Sequence, residues 1–346
     1  MSNSDWNRAH RIPEAERSVD YNAQCTQLAP MKNLWRLLYF SGTIRRDHPP
    51  MLPDTRTTIG SNHTNAPQTS MSNQPTGVFD SGIGGLSTLR ELRRQLPHEH
   101  FLYVADLEWS PYGNKSVALL QERAAHLCDF LVQRESKAIV IACNTATAAA
   151  VHQLRERYTL PIIGVEPGIK PAITRTLSGV VGILATQRTI DSEKFQTLVS
   201  QFSQDTEIVL QPCPGLAEAI DEGQHQSDLR AQLLRHFTAP LLARGADTLV
   251  LGCTHYPLIM EEIRESLAAQ GHENVQLIDT SEAIARQVVR QLERNHSLNQ
   301  ERTRGTVQFF STDIATAENP AQRARALSDV FSYYWGEPIS VAALPD

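Results

Sequence analysis

Two short apolar runs, each closed by a cysteine and then by small polar residues, constrain this chain more than any other feature. The first is Ala138-Ile139-Val140-Ile141-Ala142, followed by Cys143-Asn144-Thr145-Ala146-Thr147. The second is Thr248-Leu249-Val250-Leu251-Gly252, followed by Cys253-Thr254-His255-Tyr256-Pro257. β-branched runs of this length, ending in a small residue, read as parallel strands buried on both faces. Chemistry in open α/β sheets collects just beyond the carboxyl ends of such strands. The same device therefore occurs twice, and two thiols held by two similar units can face one substrate from opposite sides.

Around these runs, strand and helix signals alternate. Strands are expected at 77–80, 101–105, 161–165, 180–185, 206–210, 275–279 and 307–310, besides the two cysteine runs. Helices are expected at 86–96, 116–136, 146–158, near 191–203, between 215 and 244, at 258–269, and from a Ser281 cap to Arg294. A βαβα order calls for parallel sheets with helices on both faces and right-handed crossovers. The expected fold class is α/β, with two pseudo-symmetric domains, each a parallel sheet flanked by helices, and the active site between them. Residues 76–170 plus 276–346 would make the first domain and 171–275 the second. Residues 1–75 differ in kind: they are rich in Asn, Ser, Thr, Arg and Pro, lack periodicity, and read as a disordered extension. Met71 offers an alternative start, which would make the preceding residues a gene-prediction artefact; the rival reading is a regulatory extension.

The chain has 346 residues, 41% of them hydrophobic, and a net charge of -6. That size allows two domains with a large core, and that charge gives no overall basic footprint for nucleic acid. No apolar run approaches the ~20 residues that span a bilayer. The five cysteines form no Cys-x-x-Cys pair and no Cys/His cluster at zinc spacing, so neither a disulfide framework nor a metal is expected. Free thiols fit a reducing cytoplasm. Cys128 falls on the apolar face of a helix and reads as core. Cys25 lies in the extension. Cys213, between two prolines, has a structural role or none.

Four constellations carry the chemistry. In Phe79-Asp80-Ser81-Gly82-Ile83-Gly84-Gly85-Leu86, a strand ends at Asp80 and a glycine turn opens a helix, a natural anion seat. Its spacing is not the dinucleotide fingerprint, and no Walker lysine follows, so a small carboxylate is the expected anion. A turn needing positive φ accounts for at least one of the glycines. Ser110 to Ser116 reads as a turn with a helix cap. Cys143 stands at a helix N-terminus, which favours the thiolate. His255, two residues from Cys253, can orient or protonate that thiol.

Taken together, FDSGIGGLS at 79–87, PYG at 111–113, ACNTAT at 142–147, GVEPGIKPA at 164–172, LATQRTI at 184–190 and LGCTHYPL at 251–258 closely resemble the glutamate racemase family. The likeness holds in order and spacing from about residue 77 to 310. It implies cofactor-independent interconversion of L- and D-glutamate by two cysteines, supplying D-glutamate for peptidoglycan in the cytoplasm. By position, Cys143 and Cys253 match the two catalytic thiols, Asp80 the carboxylate assisting the first, and His255 the group assisting the second. Ser81, Tyr112, Gly113, Asn144, Thr145, Thr189 and Thr254, with Asp80 and His255, match the substrate contacts. The family carries a glutamate near the second thiol. The best register puts Asp221 there, with Glu222 beside it and Glu218 one turn earlier. The resemblance also allows a homodimer and activation by a cell-wall precursor. The alternatives are an aspartate or broader amino-acid racemase, or a non-catalytic glutamate-binding or gyrase-interacting protein.

Overall fold

The computed structural model describes residues 71–202 and 206–345. The extension expected over 1–75 lies outside the described residues as far as residue 70, Cys25 included. At its end, Met71–Asn73 form a 3-10 turn, so order reaches a few residues further back than the sequence indicates. Among the described residues, all strand pairings are parallel, in two sheets.

The first sheet contains β1 (Thr76–Asp80), β2 (Phe101–Ala105), β3 (Ala138–Ile141), β4 (Ile162–Gly164), β9 (Val307–Ser311) and β10 (Val341–Ala343), in the order β10-β9-β2-β1-β3-β4. The second contains β5 (Val180–Ala185), β6 (Glu207–Pro212), β7 (Thr248–Leu251) and β8 (Gln276–Ile278), in the order β6-β5-β7-β8. The segment β2-β1-β3-β4 thus has the same strand order as β6-β5-β7-β8. In each, the chain leaves a central strand to one side and then crosses to the other. That reversal opens a crevice between β1 and β3, and again between β5 and β7, at their carboxyl ends. Asp80 ends β1, Cys143 follows β3, Thr186 follows β5 and Cys253 follows β7.

Both faces of the central strands β3 and β7 are covered, which is why they read as unbroken apolar runs. In β3, Ala138 and Val140 enter one core cluster while Ile139 and Ile141 enter another. The first cluster is closed by α1 (Leu86–Gln95) and α10 (Ser281–Arg294); the second by α2 (Val117–Gln133) and α3 (Asn144–Arg157). Cys128 is fully buried in α2, as expected of a core residue. Around the second sheet lie α4 (Ile169–Arg175), α5 (Gln187–Asp191), α6 (Glu193–Phe202), α7 (Leu216–Asp221), α8 (Ser227–Ala243) and α9 (Met260–Ala268). None of the helices is long and apolar enough to cross a membrane, among the described residues.

Three expectations change, and two elements are new. β8 pairs with β7, so residues 276–278, assigned from sequence to the first domain, belong to the second sheet. Ser281 is the first residue of α10 rather than its cap; Thr280 takes the cap position, and Asp279 Oδ1 accepts from the Ser281 N–H and hydroxyl. The helix expected from Ala146 starts at Asn144, with Cys143 itself as N-cap. The C-terminal helix α11 (Pro320–Trp335) and strand β10 were not read from the sequence. α11 packs Leu327, Phe331 and Tyr334 into the first cluster and stacks Phe331 edge-on to Tyr103 of β2.

Candidate active site

Asp80 and Cys143 meet because β1 and β3 are neighbours in register, Phe79 opposite Ile141. Asp80 is fully buried, and Oδ1 accepts from the Ser81 N–H at 2.7 Å and the Ser81 hydroxyl at 3.3 Å. Cys143 Sγ lies 3.6 Å from the same hydroxyl and accepts from the Ala146 N–H at 3.4 Å. The thiol therefore does sit at a helix N-terminus, but the expected bias towards thiolate is outweighed. Burial is the largest effect and pushes the Cys143 thiol up; the adjacent Asp80 charge adds to it, against the opposing pull of the Ala146 N–H. Burial also pushes the Asp80 carboxyl up, opposed by His255 and by the bonds from Thr254 and Ser81. The two groups compete for a proton across a short gap.

The glycine turn does something different from what its sequence suggests. None of Gly82, Gly84 and Gly85 has positive φ. At Gly82 and Gly84 the lack of a side chain instead lets residues of the second half come close, while Gly85 makes room for Asp80 and Tyr103 of the first sheet. A Cβ on Gly82 would lie 2.6 Å from Asp221 Oδ1, and one on Gly84 would lie 2.3 Å from His255 Nδ1. The anion at this turn is the chain's own: the Ile83 N–H donates to Asp221 Oδ1 at 3.0 Å. Asp221 Oδ1 is also 3.0 Å from His255 Nε2, while His255 Nδ1 is 3.6 Å from Cys253 Sγ. Cys253, His255 and Asp221 thus form a row in which each member touches the next. Burial, the largest single effect, would lower His255, but Asp221 and the Cys253 sulfur together lift it well above the ordinary histidine value. Glu222 forms the cap after α7.

The two halves are tied across the same point. The Thr254 hydroxyl donates to Asp80 Oδ2 at 2.8 Å, and the Ser87 hydroxyl donates to the Thr254 carbonyl at 2.9 Å. Charge on Cys253 acts directly on Cys143. Cys143, Cys253, Asp80 and His255 are all 7% exposed or less, so both thiols are shielded from solvent. The Thr145 hydroxyl lies 3.0 Å from that of Thr186 and 3.1 Å from that of Thr189. Thr145 and Thr189 are buried, as is Asn144 beside Thr145. Thr145 is also at the floor of an open cleft of about 650 Å³ between α3 and α5–α6.

The turn at Ser110–Ser116 is more than a connection. Ser116 does cap α2. Tyr112, however, is buried and donates to Asp106 Oδ2 at 2.5 Å, and Arg123 grips Asp106 through Nε and Nη2 at 3.1 and 2.7 Å. This clamp fixes Tyr112, and Gly113 beside it lies opposite Thr186. The Ser110 hydroxyl reaches towards Asp221 Oδ2 at 3.5 Å. Asp106, Arg123 and Thr186 are residues that the sequence reading missed. Thr186-x-x-Thr189 has the spacing of a helix cap, and it is one: Thr186 Oγ1 accepts from the Thr189 N–H. Cys213, given a structural role or none, is buried in the core beside Tyr256. Among the described residues, no three His, Cys, Asp or Glu side chains gather into a metal-holding group.

Comparison with known proteins agrees with this architecture. Residues 83–288 match the Asp/Glu/Hydantoin racemase family. The chain is 49% identical to the glutamate racemase of Ectopseudomonas mendocina over 244 residues, 70% of this chain and 91% of that protein. It resembles the crystal structure of Escherichia coli glutamate racemase in complex with L-glutamate and the activator UDP-MurNAc-Ala, with a TM-score of 0.66, 33% identity, and coverage of 78% of this chain and 97% of that one. The Francisella tularensis glutamate racemase bound to D-glutamate gives a TM-score of 0.65 at 30% identity, covering 80% and 98% of the two chains. By family match, by identity across most of a curated relative and by fold, the chain belongs to the Asp/Glu/hydantoin racemase family and groups within it with the glutamate racemases, which are isomerases.

Proposed function

We propose that this protein interconverts L- and D-glutamate, with Cys143 and Cys253 acting on opposite faces of the α-carbon. The observation that carries the reading is the pair of enclosed thiols at matching strand ends, each with its own proton-handling neighbour. Glutamate as substrate rests on the relatives named glutamate racemase, two of which hold L- or D-glutamate in their structures.

The α-hydrogen of an amino acid is a very weak acid. One base would return its proton to the face it came from. A thiolate on one face and a thiol on the other allow removal and redelivery with inversion, and the roles exchange in the reverse reaction. Asp80 takes the Cys143 proton to make that thiolate, a transfer within one buried pair that leaves the net charge unchanged. His255, held by Asp221, serves Cys253 in the same way. Hydroxyls of Thr145, Thr189 and Thr254, with Asn144 and Ser81, would hold the substrate's carboxylates, and Tyr112 and Gly113 would close over it. Fixed donors in a water-excluding site stabilise the carbanion as its charge develops. The bonds that now join Thr145 to Thr186 and Thr189, and Thr254 to Asp80, must exchange partners when substrate enters.

The product, D-glutamate, would serve peptidoglycan synthesis in the cytoplasm, and a cell-wall precursor such as the one held by the Escherichia coli relative would act as an activator. The two sheets would mark two domains that close on substrate. Solvent deuterium exchange at the α-carbon tests the substrate: exchange with glutamate but not aspartate supports the reading, and exchange with neither turns it towards a binding role. Kinetics unchanged by the precursor would remove the activation.

A further inference from the structure

The His255–Asp221 contact needs two short elements to be held together, and neither holds itself. α7 has six residues, and Asp221 is the last. Too few helical bonds exist to fix such an element, and its last carbonyls have no partner within it. His255 precedes a 3-10 turn, Tyr256–Ile259, that leads into α9. The side chain that reaches both α7 and the helix following this turn is Arg230 of α8, only 1% exposed and among the largest fully buried side chains of the described residues.

Each edge of its guanidinium has a distinct task. Nε and Nη2 donate to Glu262 Oε2 and Oε1, both at 2.8 Å, on the first turn of α9. Nη1 donates to the carbonyls of Ala219 and Gly223, on either side of Asp221. The intervening carbonyl, of Ile220, accepts from the Tyr334 hydroxyl of α11 at 3.2 Å. The end of α7 is therefore gripped at three carbonyls by groups from outside it. Such a planar fork cannot be reproduced by a lysine.

We infer that Arg230 is a positioning residue for the reaction proposed above: by bridging α7 to α9 it fixes Asp221 against His255, and through His255 it sets the working state of Cys253. Arg230 touches neither thiol nor substrate. The groups facing His255 are Asp221 and Glu218 from α7, Cys253 in its own loop, Asp80 from β1 and Tyr334 from α11. Asp221 supplies the largest upward pull on its proton affinity. Loosening α7 should release that pull.

The test uses the full chain carrying Arg230→Lys or Glu262→Gln. Kinetics are measured from both enantiomers of glutamate, and the His255 ring is titrated by ¹⁵N NMR. In Arg230→Lys, kcat should fall about ten- to a hundredfold, the range expected when a catalytic group moves by up to an ångström. KM should stay within about twofold, because the substrate's own contacts are untouched. The His255 midpoint should move down towards the ordinary histidine value. Glu262→Gln keeps the shape and weakens one arm of the fork. It should show the same pattern in smaller measure, and it decides the matter if the lysine variant does not fold. A folded variant with wild-type kcat overturns the inference. So does a lower melting temperature with an unmoved His255 titration, which would mean that Arg230 only supports the fold. The titration needs no substrate, so it tests the positioning even if glutamate is not turned over.

Discussion

Replacing Gly84 with alanine should damage catalysis out of proportion to its size. The new Cβ would lie 2.3 Å from His255 Nδ1, 2.7 Å from its ring Cγ and 2.7 Å from its backbone N–H nitrogen, where ordinary contact begins at 3.4 Å. Relief therefore needs a movement of about 1.1 Å, the difference between 3.4 and 2.3 Å. Rotating the imidazole does not suffice, because the backbone nitrogen is struck as well. The ring edge that must retreat is the one 3.6 Å from Cys253 Sγ. Overpacking of this kind costs about 1–3 kcal/mol of stability, and a misplacement of about 1 Å can cost about a hundredfold in rate. We expect a folded but less stable protein whose kcat is about a hundredfold lower in the direction where Cys253 removes the proton. The assay is steady-state kinetics from each enantiomer beside a thermal melt. Gly271→Ala is the control. That residue has φ of +80° and nothing within 4 Å of an added Cβ, so it should lose about 1 kcal/mol of stability and no activity. A Gly84→Ala protein with wild-type kcat in both directions would refute the reasoning.

Other outcomes follow from the same geometry. Cys143→Ser and Cys253→Ser should each abolish racemisation while leaving exchange or elimination chemistry in one direction; near wild-type turnover in either variant would end the two-base account. Asp80→Asn should slow mainly the direction in which Cys143 removes the proton, and His255→Asn the other. Equal losses with unchanged primary deuterium isotope effects would reduce both residues to substrate positioning. His255 has a folded value raised above its ordinary 6.5, so its contribution to stability is full below that pH and fades as pH rises through the folded value. The stability lost in Asp221→Asn should therefore be largest between about pH 5 and 6.5 and shrink in the alkaline range; a loss independent of pH would contradict the pairing. Asp247 accepts from the Thr176 hydroxyl and from the N–H groups of Leu177 and Ser178, and is held at about 2 against burial, which alone would raise it. Its contribution is present above its ordinary 3.8 and is lost as pH falls towards 2, so Asp247→Asn should lower the melting temperature at pH 5 and not at pH 2.

The framework was legible in the sequence because parallel strands covered on both faces leave unbroken apolar runs, and because the cysteines directly follow two of them. What escaped has physical reasons. α11 shows weak amphipathicity: three of its residues are buried while Tyr333 is exposed, so no clean stripe marks it. A positive-φ turn was expected of at least one glycine in 82–85, whereas Gly82 and Gly84 admit Asp221 and His255 from the other half, and Gly85 makes room for Asp80 and Tyr103. Local sequence cannot show an approach made across 139 positions, from Gly82 to Asp221. Arg123 and Asp106 stand 17 positions apart with no motif to join them, and only the fold turns them into a clamp on Tyr112. The thiolate bias at Cys143 failed because a helix end contributes locally while burial acts on the whole group. The match of Asp221 to the family's glutamate position rested on register alone; in the structure its shorter side chain still reaches His255.

The central claim is that two thiols on opposite faces divide proton removal from proton delivery. Its most direct test is the early time course of L-glutamate in D₂O, with the α-position of each enantiomer followed by NMR or mass spectrometry. D-glutamate should carry deuterium at the α-carbon as it first forms, while the remaining L-glutamate stays unlabelled; the same should hold from D-glutamate in reverse. Product that forms with its original hydrogen, carried across by a single base, would contradict it.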